Sequence, residues 1–235
     1  MKSVEGRSAF FLRIIGFSCG EYVVIKPERH SDDKLIVFDV GGVFIELNVE
    51  KRKAAFAAGG RWSSTDQANT NLLHLNMQFR LGQIDEDTYL HRASEMYGLT
   101  AEQILQAETA LLEGVFTGMV DYVRTLKSSH RVVCLSNTQS IHWRHIIETM
   151  LGAELFDACY LSHEMGMEKP GEEIYLAVQN REQVSPERIV FIDDTLENIA
   201  TSRRLGWHSI HHVDAAKTIA AIDEAISSTP QSGTS

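Results

Sequence analysis

A chain of 235 residues that is 43% hydrophobic and 23% charged, with only 4 prolines, is ordinary for a folded soluble protein and excludes a fibrous, membrane-embedded or largely disordered one. Its net charge of −10 repels nucleic acid and no segregated basic patch offsets it, so neither nucleic acid nor membrane is an expected partner. Cys19, Cys134 and Cys159 form an odd set without CxxC spacing, which argues against a zinc knuckle or a disulfide framework and fits a reducing, cytoplasmic setting.

Residues 1–33 read as an N-terminal extension. Its apolar stretch Ala9 to Phe17 is interrupted by Arg13 and too short to span a bilayer. Lys2 and Arg7 ahead of it suggest a weak targeting peptide, against which stand Glu5 and the lack of a clear cleavage site; the plainer reading is a loose or surface-packed extension. From Leu35 the pattern changes. Leu35-Ile36-Val37-Phe38, stopped by Asp39 and then Gly41-Gly42, is the short run of a buried parallel strand.

The interval from about Asn48 to Lys127 holds no convincing strand, while Thr70 to Phe79, Asp85 to Tyr97 and Ala101 to Leu112 have helical spacing. Thr100 with Gln103 fits a capping box at the start of the third. A helical cap is therefore expected over 48–119, inserted into a core of 34–47 and 120–226.

Four further strands follow: Arg131 to Leu135, Ala158 to Leu161, Arg188 to Ile192 and His208 to His212. Helical patterns at Ile141 to Leu151, Glu172 to Val178 and Leu196 to Leu205 lie between them. Such alternation specifies an α/β fold with a doubly wound parallel sheet. The polar tail 227–235 is expected to be disordered.

Ligands of an open parallel sheet sit beyond the carboxyl ends of its strands, where Asp39, Ser136-Asn137 and Asp193-Asp194 all fall. Carboxylates meeting at one edge repel unless a cation joins them, and Mg²⁺ prefers such oxygen ligands together with substrate phosphate. Lys169, just before Pro170, can add a positive charge to the same edge. Each residue also has a plainer reading. Asp39, Ser136-Asn137-Thr138 and Asp193-Asp194 can cap turns or helices, and Lys169 can be a solvated surface residue. His74, His91 and Trp62 of the cap are candidate specificity residues, although a histidine on a helix is more often structural. His208, His211 and His212 alternate across a strand with no ligand spacing to Cys or carboxylate, so structural roles are expected of them.

The motifs FDVGGV, LSNT, YLSHEMGMEKPGEEIY and FIDDTLENI, in this order on these strands, resemble those of the haloacid dehalogenase-like hydrolases. Over about Leu35 to His212 the chain is similar to the α-D-glucose-1-phosphate phosphatases of that superfamily and to the phosphatase domain of soluble epoxide hydrolases. The resemblance implies a magnesium-dependent phosphatase acting on a small phosphorylated metabolite, sugar phosphates foremost. It implies Asp39 as the nucleophile that becomes an aspartyl-phosphate, and Ser136 with the backbone N–H of Asn137 as holders of phosphate oxygens. Lys169 would neutralise the transferring group, and Mg²⁺ would be held by Asp39, the carbonyl of Gly41, Asp194 and neighbouring Asp193.

One position departs from the pattern. Phosphatases of the superfamily usually place a second Asp two residues after the nucleophile as general acid and base, and Gly41 stands there, as it does in the glucose-1-phosphate phosphatases. Two other functions stay open: a metal-independent haloacid-type dehalogenase, which usually carries an aromatic residue at that position and is disfavoured by Gly41 and by the paired acids Asp193-Asp194, and a weakly catalytic binding or regulatory protein, for which Gly41 is the one argument. The sequence leaves monomer and homodimer open.

Overall fold

The computed structural model describes residues 34–59 and 66–227. The N-terminal extension, Trp62 and the tail beyond Ser227 lie outside the described residues, and with them the targeting reading. In chain order the elements are β1 (Leu35–Phe38), β2 (Ile45–Leu47), α1 (Val49–Ala57), α2 (Asp66–Arg80), α3 (Glu86–Tyr97), α4 (Ala101–Thr109), β3 (Leu112–Val115), α5 (Thr117–Leu126), β4 (Arg131–Ser136), α6 (Ser140–His145), β5 (Ala158–Leu161), α7 (Ser162–Met165), α8 (Glu172–Glu182), β6 (Ile189–Asp193), α9 (Leu196–Arg204), β7 (His208–His211) and α10 (Ala215–Ser227).

Five strands form one parallel sheet in the order β5-β4-β1-β6-β7. Because successive strand side chains face opposite ways, β1 feeds two cores. Ile36 and Phe38 pack with Met119, Val123 and Ile222 of α5 and α10 on one face. Leu35 and Val37 pack with Tyr175, Val178 and Ile199 of α8 and α9 on the other. Burial on both faces explains why the strands read as unbroken apolar runs instead of alternating ones.

From β1 the chain goes on to β4 and β5 on one side and then crosses to β6 and β7 on the other, which makes the carboxyl end of β1 a topological switch point. Phe38 is level with Cys134 on β4 and with Ile192 on β6, so Asp39 emerges level with Asp193. Register alone thus brings two acids 154 positions apart in the chain to one edge.

Helices α1 to α4 stand between β2 and β3 and share a core of Phe56, Leu75, Phe79, Tyr89, Tyr97 and Ile104. This is the inserted helical cap. Its third expected helix carries the expected capping box, with Thr100 N–H donating to Gln103 Oε1 at 2.9 Å and Gln103 N–H to Thr100 Oγ1 at 3.3 Å. The interval read as free of strands contains β3, which pairs antiparallel with β2. Leu-Glu-Gly-Val is short and carries a glycine, and its strand state comes from a partner some 70 residues away, so its local pattern merged with the preceding helix, which ends at Thr109. The β2–β3 ribbon carries the chain into and out of the cap. No helix among the described residues is long and apolar enough to cross a membrane.

Candidate active site at the carboxyl edge of the sheet

Asp39 continues the ladder beyond β1, its N–H donating to Ile192 O at 2.8 Å. The chain then turns sharply, with Phe44 N–H donating to Val40 O at 2.9 Å and Gly42 N–H to Ile45 O at 2.9 Å. Gly42 has φ +73, and a Cβ there would lie 2.1 Å from Asp194 Oδ2, so only glycine lets this turn pass the neighbouring acid. Gly41 is different. A Cβ there meets only Leu47 Cδ1, at 3.0 Å, the end of a partly exposed and flexible side chain.

Asp39, Asp193 and Asp194 offer carboxylate oxygens that all lie within 4.8 Å of one another, which makes them the one such cluster among the described residues. Lys169, buried, bridges two of them, with Nζ 2.9 Å from Asp39 Oδ1 and 2.7 Å from Asp193 Oδ2. The same ammonium stands 5.6 Å from the centroid of the Phe191 ring. The three acids are not equivalent. Asp193 is fully buried and its oxygens are committed to the protein, accepting from Lys169, from Thr195 N–H at 2.8 Å and from Asn198 Nδ2 at 3.0 Å to each oxygen. Asp194 is exposed, and its carboxylate has only Thr195 Oγ1, at 3.4 Å, for a hydrogen-bond donor among the described residues. In Asp39 both Val40 N–H, at 2.7 Å, and Lys169 engage Oδ1, which leaves Oδ2 open.

Burial pushes the Asp39 carboxyl up to about 6; Lys169 opposes the shift and Asp193 adds to it. For Lys169, burial alone would lower the value, but the two carboxylates outweigh it and keep the ammonium protonated, above its ordinary range.

Ser136 stands at the end of β4 and is buried. The Asn137 side chain grips the backbone of Lys169 at both ends, Nδ2 donating to Lys169 O at 2.8 Å and Lys169 N–H to Oδ1 at 2.9 Å. Thr138 is tied to α7 through Ser162 Oγ, 2.9 Å from both its N–H and its carbonyl. The structure thus brings together Asp39, Lys169, Asp193 and Asp194, with Asn137 behind the lysine. It does not bring in His74, which lines an open groove of about 480 Å³ with Asn71, Gln78 and Arg92, or His91, which pairs with Glu95 at 3.6 Å on an exposed face. His211 Nε2 lies 3.0 Å from the Asp194 carbonyl and His212 Nδ1 lies 2.9 Å from Thr218 Oγ1; these are contacts of histidines packed into the fold. One participant, Asn198, escaped the sequence reading, and for Asn137 only a backbone role was expected. Asn198 sits on the first turn of α9 and reaches back five residues to Asp193, which lies before the helix begins, so helical spacing did not signal it. The side-chain role of Asn137 had no local signal either.

Residues 34–206 match the haloacid dehalogenase-like hydrolase family, and the chain belongs to it: it is a hydrolase. It is 28% identical over 192 residues to a D-ribitol-5-phosphate phosphatase of Bacteroides thetaiotaomicron, across 78% of this chain and 93% of the relative. It is 25% identical over 189 residues to a sesquiterpene phosphatase of Aspergillus oryzae, across 79% and 92%. A solved family enzyme from Bacteroides thetaiotaomicron in complex with magnesium and inorganic phosphate superposes with a TM-score of 0.69 at 28% identity, covering 77% of this chain and 94% of that one.

The raised Asp39 value has a thermodynamic consequence in metal-free protein. A carboxyl that titrates near 6 when folded and near its ordinary value when unfolded favours the fold at low pH, and that contribution is lost as pH rises through about 6. The stability of the wild type relative to Asp39→Asn should therefore fall by on the order of 2 kcal/mol between about pH 4 and pH 7 in the presence of chelator. Urea unfolding of both proteins across that range tests this; a constant difference would contradict it.

Proposed function

We propose that this protein is a magnesium-dependent phosphatase that hydrolyses a small phosphorylated metabolite, a sugar or polyol phosphate foremost, through a phosphoaspartyl intermediate on Asp39. The observation that carries this reading is the cluster of three carboxylates at the switch point with one buried lysine bridging two of them. With every group ionised it keeps two uncompensated negative charges, the donor set of a hard divalent cation. Asp39, Asp194 and the Gly41 carbonyl would hold Mg²⁺, with Asp193 behind them fixing Lys169 and the start of α9. Bound there, Mg²⁺ supplies charge neutralisation for the transferring phosphoryl group.

The open Oδ2 of Asp39 attacks phosphorus, and the bond to the leaving oxygen breaks with its electron pair. Lys169 holds Oδ1 and offsets charge on the phosphoryl oxygens, while Ser136 and the Asn137 N–H hold the others. Water then attacks phosphorus and loses its proton to solvent, and the Asp39–phosphorus bond breaks to restore the carboxylate. The phosphatase activities of the two relatives, and the magnesium and phosphate bound by the solved one, support this reading. The free thiols of Cys134 and Cys159 suit a cytoplasmic setting.

The direct experiment compares Mg²⁺-dependent phosphate release from an aryl phosphate with halide release from a 2-haloacid. Phosphate release that chelator stops and Asp39→Asn reduces below a few per cent, with no halide release, is the expected result. Metal-independent halide release would favour the dehalogenase reading instead.

Gly41 leaves the departing oxygen without a side-chain acid, and the group nearest to it is the apolar Leu47. Rates should therefore rise steeply as the leaving group becomes more acidic. Because Gly41 lacks the positive φ of Gly42 and only Leu47 must yield, Gly41→Asp is sterically admissible and should flatten that dependence. A plot of log kcat against leaving-group pKa for both proteins decides; a flat line for the unmodified enzyme would show that another acid is present.

A further inference from the structure

Glu108 of α4 is fully buried, far from the acid cluster in sequence and outside the chemistry described so far. A carboxylate without access to water must be paired, and this one is paired from two sides. From the cap, Arg52 of α1 forks onto it at 2.9 and 2.7 Å and the Tyr89 hydroxyl of α3 donates to Oε1. From the sheet domain, Gln139 Nε2 and His142 Nε2 each lie 2.9 Å from Oε2. Burial would raise its value, yet the hydrogen bond from His142 and the charge of Arg52 prevail and hold it down at about 2, so the hub is ionised.

The partners on the sheet side are placed with consequence. Gln139 directly follows Ser136-Asn137-Thr138 and occupies the N-cap of α6, but its side chain makes no capping bond and is turned toward Glu108 instead. Beside it, Glu86 of α3 accepts Ser140 Oγ at 3.0 Å and the Arg144 guanidinium at 2.9 and 2.8 Å. Ile141 completes the apolar core of the cap. The cap therefore grips the first turn of α6, the segment that ends the Ser136–Thr138 loop. Because nothing of Glu108 reaches the surface, it can act on that loop only through Gln139 and His142.

We infer that Glu108 is a positioning residue, by which the seated cap holds the Ser136–Thr138 loop in the geometry that binds phosphate. The inference rests on the phosphatase reading of that loop, and its contact argument does not. Loss of one charge-assisted hydrogen bond at the loop's end is worth about tenfold in binding.

The test measures two things in Glu108→Gln and in Gln139→Ala. The second variant keeps the Arg52–Glu108 pair within the cap and carries the test if the first does not fold. Amide hydrogen exchange of peptides spanning residues 134–140 should accelerate, and the Ki of inorganic phosphate with Mg²⁺ should rise about tenfold, together with KM for an aryl phosphate. A role confined to stability would lower the active fraction, hence kcat, and leave Ki and KM unchanged. Unchanged exchange and unchanged Ki in folded variants would overturn the inference. Accelerated exchange alongside a wild type that neither binds phosphate nor hydrolyses the ester would uphold the loop contact and overturn the phosphatase reading instead.

Discussion

The bridge from Lys169 to Asp39 and Asp193 is the interaction on which the rest of the site depends. Carboxylates within 4.8 Å of one another repel by roughly 3–4 kcal/mol per pair at an effective dielectric near 20. Without the ammonium, the sheet register that makes Asp39 and Asp193 neighbours would work against folding. The surroundings of the lysine all serve its placement. Asn137 fixes its backbone, Asn198 and Thr195 fix the acid it leans on, and Phe191 lies near its charge. One cation cannot balance three acids, and the surplus falls on Asp194, the most exposed and least hydrogen-bonded of them.

That asymmetry divides labour between adjacent residues of identical chemistry. Asp193 points into the protein and is consumed by it, while Asp194 points out and is available. The turn across from them is built to match. Gly42 yields its side chain so that Asp194 can approach, and Gly41, which no backbone constraint requires, leaves a space that only Leu47 borders. The first glycine is explained by structure. On the proposed reading, the second leaves the departing oxygen without a side-chain acid at that position.

Much of this was legible in the sequence because it is local. An apolar run ending in an acid, as before Asp39 and Asp193, states both a strand and where its carboxyl end lies, and five short strand patterns interspersed with helical periods state a parallel sheet with a polar edge. Asp39, Asp193 and Asp194 could be named for that reason, and Lys169 from its place before Pro170 and from the motif that resembles the family's. What could not be read depends on partners distant in the chain. β3 is a strand only because β2 lies beside it, Asn137 is a clamp only because residue 169 returns to it, and Glu108 is buried among groups from positions 52, 89, 139 and 142. The cap histidines were chosen by residue type alone, and the geometry places His74 and His91 on exposed surface, apart from the acids.

On the proposed reading Asp39 accepts a phosphoryl group beside a divalent cation. Beryllium trifluoride, which mimics a phosphoryl group on a carboxylate, probes that state without turnover or knowledge of the substrate. ¹⁹F NMR of the protein with beryllium fluoride should show bound resonances that require Mg²⁺ and vanish in Asp39→Asn. Bound resonances that persist in Asp39→Asn, or that form equally well in chelator, would contradict the account.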